Sequence, residues 1–226
     1  MIIAIDGPSG AGKSTLGKMI AKELDLLYLD TGAMYRAVGL AVSISGTDIR
    51  DREEIIEITK DAEIELIGKS DKLRVMLDGI DVSSEIRTNE IGQMASVVST
   101  ISEVRKSLVE RQRKLGESAK NGAVLDGRDI GSVVFPNADV KFYLTANPEA
   151  RAQRRFEEDS AKGISTTYEK TLSEINNRDA RDKSREDSPL TIAKDAVVID
   201  TSEMDESAVF EKMLDVIGKA QKRKAV

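Results

Sequence analysis

The 226-residue sequence contains no histidine, no cysteine and no tryptophan. Without histidine and cysteine, the chain cannot form a Ser-His-Asp triad, a cysteine nucleophile, a zinc finger or an iron–sulfur cluster. It also cannot form a disulfide, which is typical of proteins that work in a reducing compartment, so we expect the cytoplasm. Any catalysis must therefore depend on other residue types.

Charge and hydropathy exclude further classes of partner. The chain has 34 basic and 40 acidic residues, whereas a protein that binds a long polyanion usually carries the opposite balance. We therefore expect no nucleic-acid partner. The first apolar run stops after Ile5, and no stretch approaches the roughly 20 apolar residues that a membrane span needs. We expect neither a signal peptide nor a membrane partner.

An alternation of apolar runs and helical patterns predicts the α/β fold class. The β-branched run at residues 2–5 ends at Asp6 and Gly7 and predicts a buried strand. Apolar residues at helical spacing follow, and a second apolar run ends at Asp30. This order of strand, loop, helix and strand opens a parallel sheet flanked by helices. Further strands are expected at 123–125, 140–144 and 196–199, and further helices at 89–120 with a bend near 99–102, at 149–160, at 166–183 and at 205–222.

Residues 62–84 have a different pattern, in which short segments alternate between apolar and polar residues. The pair Asp78-Gly79 is typical of a two-residue hairpin turn, and residues 69–72 predict a polar turn. We therefore predict a small antiparallel β meander, inserted into a single domain that spans residues 1–226.

The segment GPSGAGKS at residues 7–14 matches the phosphate-binding pattern G-x-x-x-x-G-K-[ST]. Its glycines permit unusual backbone dihedrals and let backbone N–H groups approach a phosphate closely. Lys13 is expected to neutralise the β- and γ-phosphates, and the Ser14 hydroxyl to ligate Mg²⁺. Because the segment lies between a predicted strand and a predicted helix, we predict a P-loop that binds a nucleoside triphosphate with magnesium. The predicted nucleotide-binding residues are Gly7, Pro8, Ser9, Gly10, Ala11, Gly12, Lys13, Ser14 and Thr15.

P-loop folds include GTPases, motor ATPases and small-molecule kinases. A GTPase should show an N/T-K-x-D motif after a late strand, but Thr-Ala-Asn-Pro follows the strand at 140–144, and the chain is short for a motor ATPase. A small kinase needs arginines that cover the reacting phosphates, and such arginines flank the polar turn at 160–165 or follow a strand. They are Arg36, Arg151, Arg154, Arg155, Arg178, Arg181 and Arg185. They favour a helical lid, although solvated helix faces paired with acidic neighbours are the alternative.

Several stretches of the sequence together resemble bacterial cytidylate kinase, a family of nucleoside monophosphate kinases with the P-loop fold. The stretches are 5–15 (IDGPSGAGKST), 29–36 (LDTGAMYR), 81–87 (DVSSEIR), 104–105 (VR), 126–131 (DGRDIG), 148–151 (PEAR) and 178–185 (RDARDKSR). The combination is more specific than the P-loop alone. The family carries a small inserted β-domain in its monophosphate-binding region, which agrees with the meander at 62–84. Residues 149–185 then form the lid and its flanking helices.

The resemblance implies an ATP-dependent kinase that needs Mg²⁺ and converts CMP or dCMP into CDP or dCDP in pyrimidine nucleotide metabolism. It places Thr31 and Arg36 at the acceptor phosphate and residues 178 and 182 near the acceptor sugar. Two arginines of the helical segment, Arg151 and Arg155, would belong to the lid. The implied catalytic residues are Lys13, Arg151, Arg155 and Arg185, and the implied acceptor-binding residues are Thr31, Arg36, Ser96, Arg105, Asp129, Arg178, Asp182 and Arg185.

The resemblance also implies that Ser96, Arg105 and Asp129 recognise cytosine, which makes chemical sense. A carboxylate such as Asp129 accepts from the N4 amino group, and an arginine such as Arg105 donates to N3 or O2. Uracil reverses these sites, and each mispaired buried group costs about 1–3 kcal/mol, so CMP should be preferred over UMP by roughly two to four decades. The acceptor is already an anionic phosphate, so no general base is required.

Two alternatives stay open at the level of sequence. One is another small P-loop kinase that acts on a different nucleotide or a small metabolite. The other is a non-catalytic, nucleic-acid-associated P-loop protein, which the acidic balance of the chain disfavours. We expect a monomer whose partners are its small-molecule substrates.

Overall fold

The structure, a computed structural model, describes residues 1–68 and 73–224. A parallel sheet forms its centre. Within those residues the sheet has five strands in the order β2-β6-β1-β7-β8, and a separate antiparallel sheet has the order β3-β4-β5. The strands are β1 (Ile2–Asp6), β2 (Leu27–Asp30), β3 (Ile64–Ile67), β4 (Arg74–Leu77), β5 (Ile80–Asp81), β6 (Ala123–Gly127), β7 (Val140–Thr145) and β8 (Val197–Asp200). The predicted parallel sheet and meander are confirmed.

Helices cover both faces of the parallel sheet. They are α1 (Lys13–Glu23), α2 (Thr31–Ser45), α3 (Arg52–Asp61), α4 (Asn89–Val98), α5 (Ser102–Ser118), α6 (Pro148–Ala161), α7 (Tyr168–Ser184) and α8 (Glu206–Lys224). Ile3 and Ile5 of β1 pack with α1 and α8 on one face. Ala4 points to the opposite face and packs with Val109 of α5. Because side chains alternate along a strand, β1 is buried on both sides, as a strand of a parallel sheet must be.

Helices α2 and α3 are the elements that the sequence patterns did not predict. Helix α2 begins directly where β2 ends, because the Asp30 carboxylate accepts a hydrogen bond from the Ala33 amide (2.9 Å) and caps the helix. The helix is buried among α4, the meander and the sheet, so its apolar residues form no single stripe. Helix α3 is short, with Asp51 as its N-cap. Helix α3 does carry a sequence signal, because Asp51 precedes acidic residues in the first turn and Ile55 is buried, whereas the all-round burial of α2 hides its periodicity.

The meander has the predicted hairpin turn. Asp78 and Gly79 have φ angles of 51° and 77°, the two positive values that a type I′ turn requires. Val75 and Leu77 of β4 face inward and pack with residues of α2. The predicted polar turn at 69–72 lies outside the described residues. The meander therefore packs against α2, the helix that follows β2.

The helical lid segment and the long helical region also match their predictions. Helices α6 and α7 pack against each other around a turn in which Gly163 has a φ of 72°. The region 89–120 divides into α4 and α5 at the predicted bend. Across residues 1–68 and 73–224, no helix combines the length and the apolar character that crossing a membrane requires.

Arg111 of α5 joins the central helices to α3. Its Nη1 donates to the Ala62 carbonyl (2.7 Å), and its Nη2 donates to the carbonyls of Thr59 (2.9 Å) and Lys60 (3.1 Å). These carbonyls lie at the C-terminal end of α3, where they lack partners within the helix. One guanidinium group therefore caps α3 and fixes the chain that leads into the meander.

We expect the substitution Arg111→Met to lower the free energy of unfolding by about 1–3 kcal/mol, because partly buried carbonyl acceptors at the end of α3 lose their donors while the aliphatic stem is kept. Urea denaturation measures the change. The control is Lys114→Met, at an exposed position of the same helix, which should shift the free energy by less than about 0.5 kcal/mol. Equal losses in the two variants would contradict the capping role.

Candidate active site

The P-loop connects β1 to α1 with a backbone that only glycine accommodates at its first position. Gly7 has a φ of 145°, and a Cβ atom added there would lie 2.0 Å from the carbonyl oxygen of Leu144. Gly10 and Gly12 have φ angles of 79° and 87°, and Gly12 forms the N-cap of α1. The first turn of α1 contains no acidic residue, so nothing there offsets the positive end of the helix dipole.

Lys13 is buried in this loop. Its Nζ donates to the Pro8 carbonyl at 2.7 Å, and only 7% of the residue is exposed. Burial and the nearby Arg128 guanidinium lower the pKa of Lys13 well below its ordinary value. A buried cation beside another cation is unfavourable, and a polyanion bound in the loop would relieve that cost.

Ser14 and Asp126 meet beside the lysine. The Ser14 hydroxyl donates to Asp126 Oδ2 at 2.6 Å, and the Tyr28 hydroxyl donates to Asp126 Oδ1 at 3.2 Å. Burial, with the negative charge of Asp30, raises the pKa of Asp126 to about 6. These oxygen atoms are the donors that could hold a hard divalent cation at the loop.

A single cleft of about 1360 Å³ extends from the P-loop to helices α4, α5 and α7. Most of the predicted site residues line it. They are Ser9, Gly10, Gly12, Lys13, Ser14, Thr15, Thr31, Arg36, Ser96, Arg105, Asp129, Arg155, Arg178, Asp182 and Arg185. The fold therefore brings together residues that lie more than 170 positions apart in the chain. Four predicted residues do not line the cleft: Gly7, Pro8, Ala11 and Arg151.

The far end of the cleft holds Arg105 and Asp129, two of the three residues expected to recognise cytosine. Arg105 and Asp129 are both buried and form an ion pair through Arg105 Nη2 and Asp129 Oδ2. Arg105 Nη1 donates to the Ser99 carbonyl at 3.2 Å, and its guanidinium lies 5.5 Å from the ring centre of Tyr35. Among the described residues, Arg105 Nε and the Tyr35 hydroxyl have no hydrogen-bond partner. This end thus offers buried donors and acceptors to a polar ring.

Arginines from four elements surround the space between the two ends. Arg178 is half-buried, and its buried Nε has no hydrogen-bond partner in the described part of the chain. Burial and Arg128 lower the pKa of Arg178 to about 9. Burial and Arg87 likewise lower the pKa of Arg36 to about 10. Both groups stay charged at neutral pH, so this region is built for phosphates.

Carboxylates and backbone carbonyls hold these arginines in place. Asp182 accepts from Arg128 Nε at 2.8 Å and lies 3.8 Å from Arg185 Nη2. Burial opposes the charge of Asp182, but its arginine neighbours keep its pKa below the ordinary value. Arg36 donates to the carbonyls of Ile86 (2.7 Å) and Thr88 (3.2 Å).

Two other acceptor-side residues already have partners within the chain. The Thr31 hydroxyl donates to the Asp126 carbonyl at 2.6 Å. The Ser96 hydroxyl accepts from Arg181 Nη1 at 3.0 Å. Both Thr31 and Ser96 line the cleft. Arg181 also lines the cleft, although it is not among the predicted acceptor-binding residues.

The lid arginines take different positions. Arg155 donates from Nε to Asp159 at 3.0 Å and from Nη2 to Asn89 at 3.2 Å, so it reaches across the rim of the cleft to α4. Arg154 lines the cleft near the P-loop and donates from Nη1 to the Thr201 hydroxyl at 3.1 Å.

Arg151 departs from the expected lid position. It lies in the first turn of α6, is buried, and points beneath the P-loop, where it pairs with Asp179. Helical spacing places Arg151 on the same face of α6 as Arg154 and Arg155. The spacing does not show which of these residues lies where the sheet covers that face. The guanidinium therefore bonds to the P-loop, to the Ala146 carbonyl and to α7 rather than facing the cleft.

Sequence reasoning missed Asp126 and Arg128, although it singled out the DGRDIG stretch that contains them. The available signal was the position of that stretch. Strand β6 pairs with β1 in parallel, and Asp126 is in register with Ile5, so the residues that end β6 must reach the P-loop edge of the sheet.

The comparisons with known proteins agree with the geometry. The cytidylate kinase family model matches residues 3–219. The cytidylate kinase of Caldanaerobacter subterraneus subsp. tengcongensis is 51% identical over 220 residues, which cover 97% of this chain and 96% of that protein. The cytidylate kinase of Bacillus subtilis is 46% identical over 215 residues, which cover 95% of each chain.

A solved structure shares the fold at much lower sequence similarity. An uncharacterized protein from Eubacterium ventriosum superimposes with a TM-score of 0.53 at 12% identity, over 96% of this chain and 98% of that one. This likeness concerns the fold alone. The family match over nearly the whole chain and the identity to curated relatives decide the assignment: the chain belongs to the cytidylate kinase family.

Proposed function

We propose that this chain transfers the γ-phosphoryl group of ATP to CMP or dCMP. The observation that carries the proposal is the cleft with the P-loop at one end, the Arg105–Asp129 pair at the other and half-buried arginines between them. The family match supports the same reaction. Such an arrangement holds two phosphate chains end to end, which is what transfer between two nucleotides requires.

ATP would bind with its phosphates in the P-loop, at residues 7–15. Backbone N–H groups of the loop and the start of α1 face the phosphates, and Lys13 is within the same wall. In the free chain, Lys13 Nζ is held by the Pro8 carbonyl, so the ligand would draw it away from a backbone acceptor. Its charge then stabilises the developing charge on the transferred group.

The residues beside the loop fit Mg²⁺. The Ser14 hydroxyl and the Asp126 carboxylate are oxygen donors 2.6 Å apart, and Asp126 is buried next to Lys13. Over the described residues no cluster of three or more His, Cys, Asp or Glu ligands occurs. That suits a cation held by one or two protein oxygens together with substrate phosphates. When bound, Mg²⁺ neutralises phosphate charge, and Ser14 and Asp126 would hold it.

Cytosine recognition would depend on the buried ion pair. Arg105 Nη2 occupies Oδ2 of Asp129, which leaves Oδ1 to accept from the N4 amino group of cytosine. Arg105 Nε has no partner among the described residues and can donate to N3 or O2. Paired with Arg105 in this way, Asp129 would present an acceptor oxygen to the base. Uracil has a carbonyl at position 4, so its O4 and Asp129 Oδ1 would be two acceptors facing each other with no donor between them.

Catalysis would come from alignment and positive charge. The attacking group is a phosphate oxygen of the acceptor, and it needs no general base at neutral pH. Arg36, Arg178 and Arg185 surround the acceptor side, and Arg155 approaches from the lid. Closure of α6 and α7 over the cleft would exclude water, which would otherwise compete as acceptor.

All of these residues belong to one chain, which supports action as a monomer. We further propose that the chain works in the cytoplasm, where its nucleotide substrates are, and that it needs no nucleic-acid partner. The net charge of −6 supports the last point.

A coupled assay of ADP release tests the function directly. With ATP, Mg²⁺ and each monophosphate in turn, we expect CMP and dCMP to be the preferred acceptors, with UMP lower in kcat/KM by roughly two to four decades. Faster phosphorylation of UMP, AMP or a small metabolite such as shikimate would favour a different small-molecule kinase. Salt-dependent retention of RNA without any phosphoryl transfer would favour the nucleic-acid alternative.

The substitution Lys13→Ala should lower kcat at least about a hundredfold, because the transferred phosphoryl group loses its closest fixed charge. Thermal unfolding should show that the variant remains folded. Lys22→Ala, at an exposed position of the same helix, is the control and should keep wild-type turnover. Near-normal turnover of Lys13→Ala would contradict the mechanism.

The substitution Asp129→Asn should lower kcat/KM for CMP by roughly 10- to 100-fold, because one buried pairing with the base is lost. The ratio of kcat/KM for CMP to that for UMP should fall at least tenfold, since an amide can donate to the uracil carbonyl. Asp215→Asn, which removes an exposed carboxylate of α8, serves as the control. An unchanged ratio would show that Asp129 does not recognise the base.

A further inference from the structure

Arg151 and Asp179 form a buried ion pair outside the substrate cleft. Arg151 Nη2 donates to Asp179 Oδ2 at 2.7 Å, and Nη1 donates to Oδ1 at 3.2 Å. Both residues line a separate cavity of about 340 Å³, on the side of the P-loop where Pro8 and Lys183 lie. Neither residue lines the main cleft.

Arg151 supports the P-loop from below. Its Nη1 also donates to the Ser9 carbonyl at 3.1 Å, and its Nε donates to the Ala146 carbonyl at 2.9 Å. A Cβ atom added to Gly10 would lie 3.1 Å from Arg151 Cβ, so the loop backbone rests directly on the arginine side chain. The position of the phosphate-binding backbone is thus tied to one guanidinium group.

Asp179 belongs to α7, the helix that carries the acceptor side of the cleft. Its neighbour Arg178 and the residues at the next turn, Arg181 and Asp182, line the cleft. Arg181 donates to the Ser96 hydroxyl and Asp182 accepts from Arg128. Because a helix moves as a rigid unit over one turn, fixing Asp179 also fixes these acceptor-side residues.

We propose that Arg151 and Asp179 are positioning residues, which set the distance and orientation of the P-loop relative to α7 and hence of ATP relative to CMP. This inference rests on the proposed phosphoryl transfer between the two. The planar guanidinium suits the task because its fork binds a carboxylate and two backbone carbonyls at once. A lysine at 151 has one ammonium group and cannot hold all three.

The proposal predicts a specific pattern of kinetic defects. A displacement of about 1 Å between reacting groups can reduce the rate about 100-fold, whereas each binding surface stays intact. Loss of the pair should therefore reduce kcat 10- to 100-fold, with KM for ATP and for CMP changed less than about threefold. Misaligned ATP should also transfer its phosphoryl group to water, so that more ADP than CDP forms.

The test compares Arg151→Lys and Asp179→Asn with the wild-type chain. For each, kcat, both KM values and the ratio of ADP to CDP are measured, and kcat is normalised to the folded fraction found by circular dichroism. The control is Asp195→Asn, which removes a carboxylate from another buried cation, Lys141 (2.6 Å), away from both cavities. We expect the control to keep the kcat of the wild-type chain and an ADP-to-CDP ratio of one.

Reduced kcat, nearly constant KM values and a ratio above one in both variants support the positioning role. The proposal is overturned if both variants keep the wild-type kcat per folded molecule and an ADP-to-CDP ratio of one. It is also overturned if neither variant folds, because the pair then has a purely structural role. Failure of the proposed function is distinguishable, since the wild-type chain itself would then form no CDP. If another monophosphate is the better acceptor, the same variants are measured with that acceptor and judged by the same outcomes.

Discussion

The gathering of several positive charges in one cleft is the constraint on which the site depends. Burial disfavours the charged forms of Lys13, Arg36 and Arg178, and the neighbouring guanidinium groups add repulsion. Carboxylates offset part of this cost, as Asp182 does for Arg128. Phosphates bound in the proposed site would offset the remainder. The apolar layers of the sheet and its helices hold these like charges close together.

The parallel sheet explains why such distant residues converge. In parallel strands the carboxyl ends share one edge, and the register places Ile5 opposite Asp126 and Asp30 opposite Asp126. The P-loop, the DGRDIG stretch and the start of α2 consequently leave the sheet side by side. Helices α6 and α7 then follow β7, which neighbours β1 on its other side. The proposed ATP and CMP sites meet because their loops start from adjacent strands.

The arginines of helices α5 and α6 make different contacts although they lie close together in the sequence. Arg155 reaches the rim of the cleft, whereas Arg151, one helical turn earlier, supports the P-loop from beneath. Arg105 faces the cleft and is oriented by Asp129, and Arg111, on the same helix, caps α3. What distinguishes them is the depth at which each part of the helix meets the sheet, a property of packing and not of local sequence.

The sequence by itself determined the α/β class, the P-loop and its flanking strand and helix, the meander with its Asp78-Gly79 turn, and the family to which the motifs belong. These features follow from local chemistry: positive φ at fixed positions, apolar periodicity and short motifs whose spacing is set by one ligand. Only the tertiary structure decided that α2 follows β2 without a turn, that Asp126 faces Ser14, that Arg105 pairs with Asp129 and that Arg151 lies outside the cleft. Each of these depends on contacts between residues far apart in the chain, and such contacts are set by how helices and strands pack rather than by any periodicity within them.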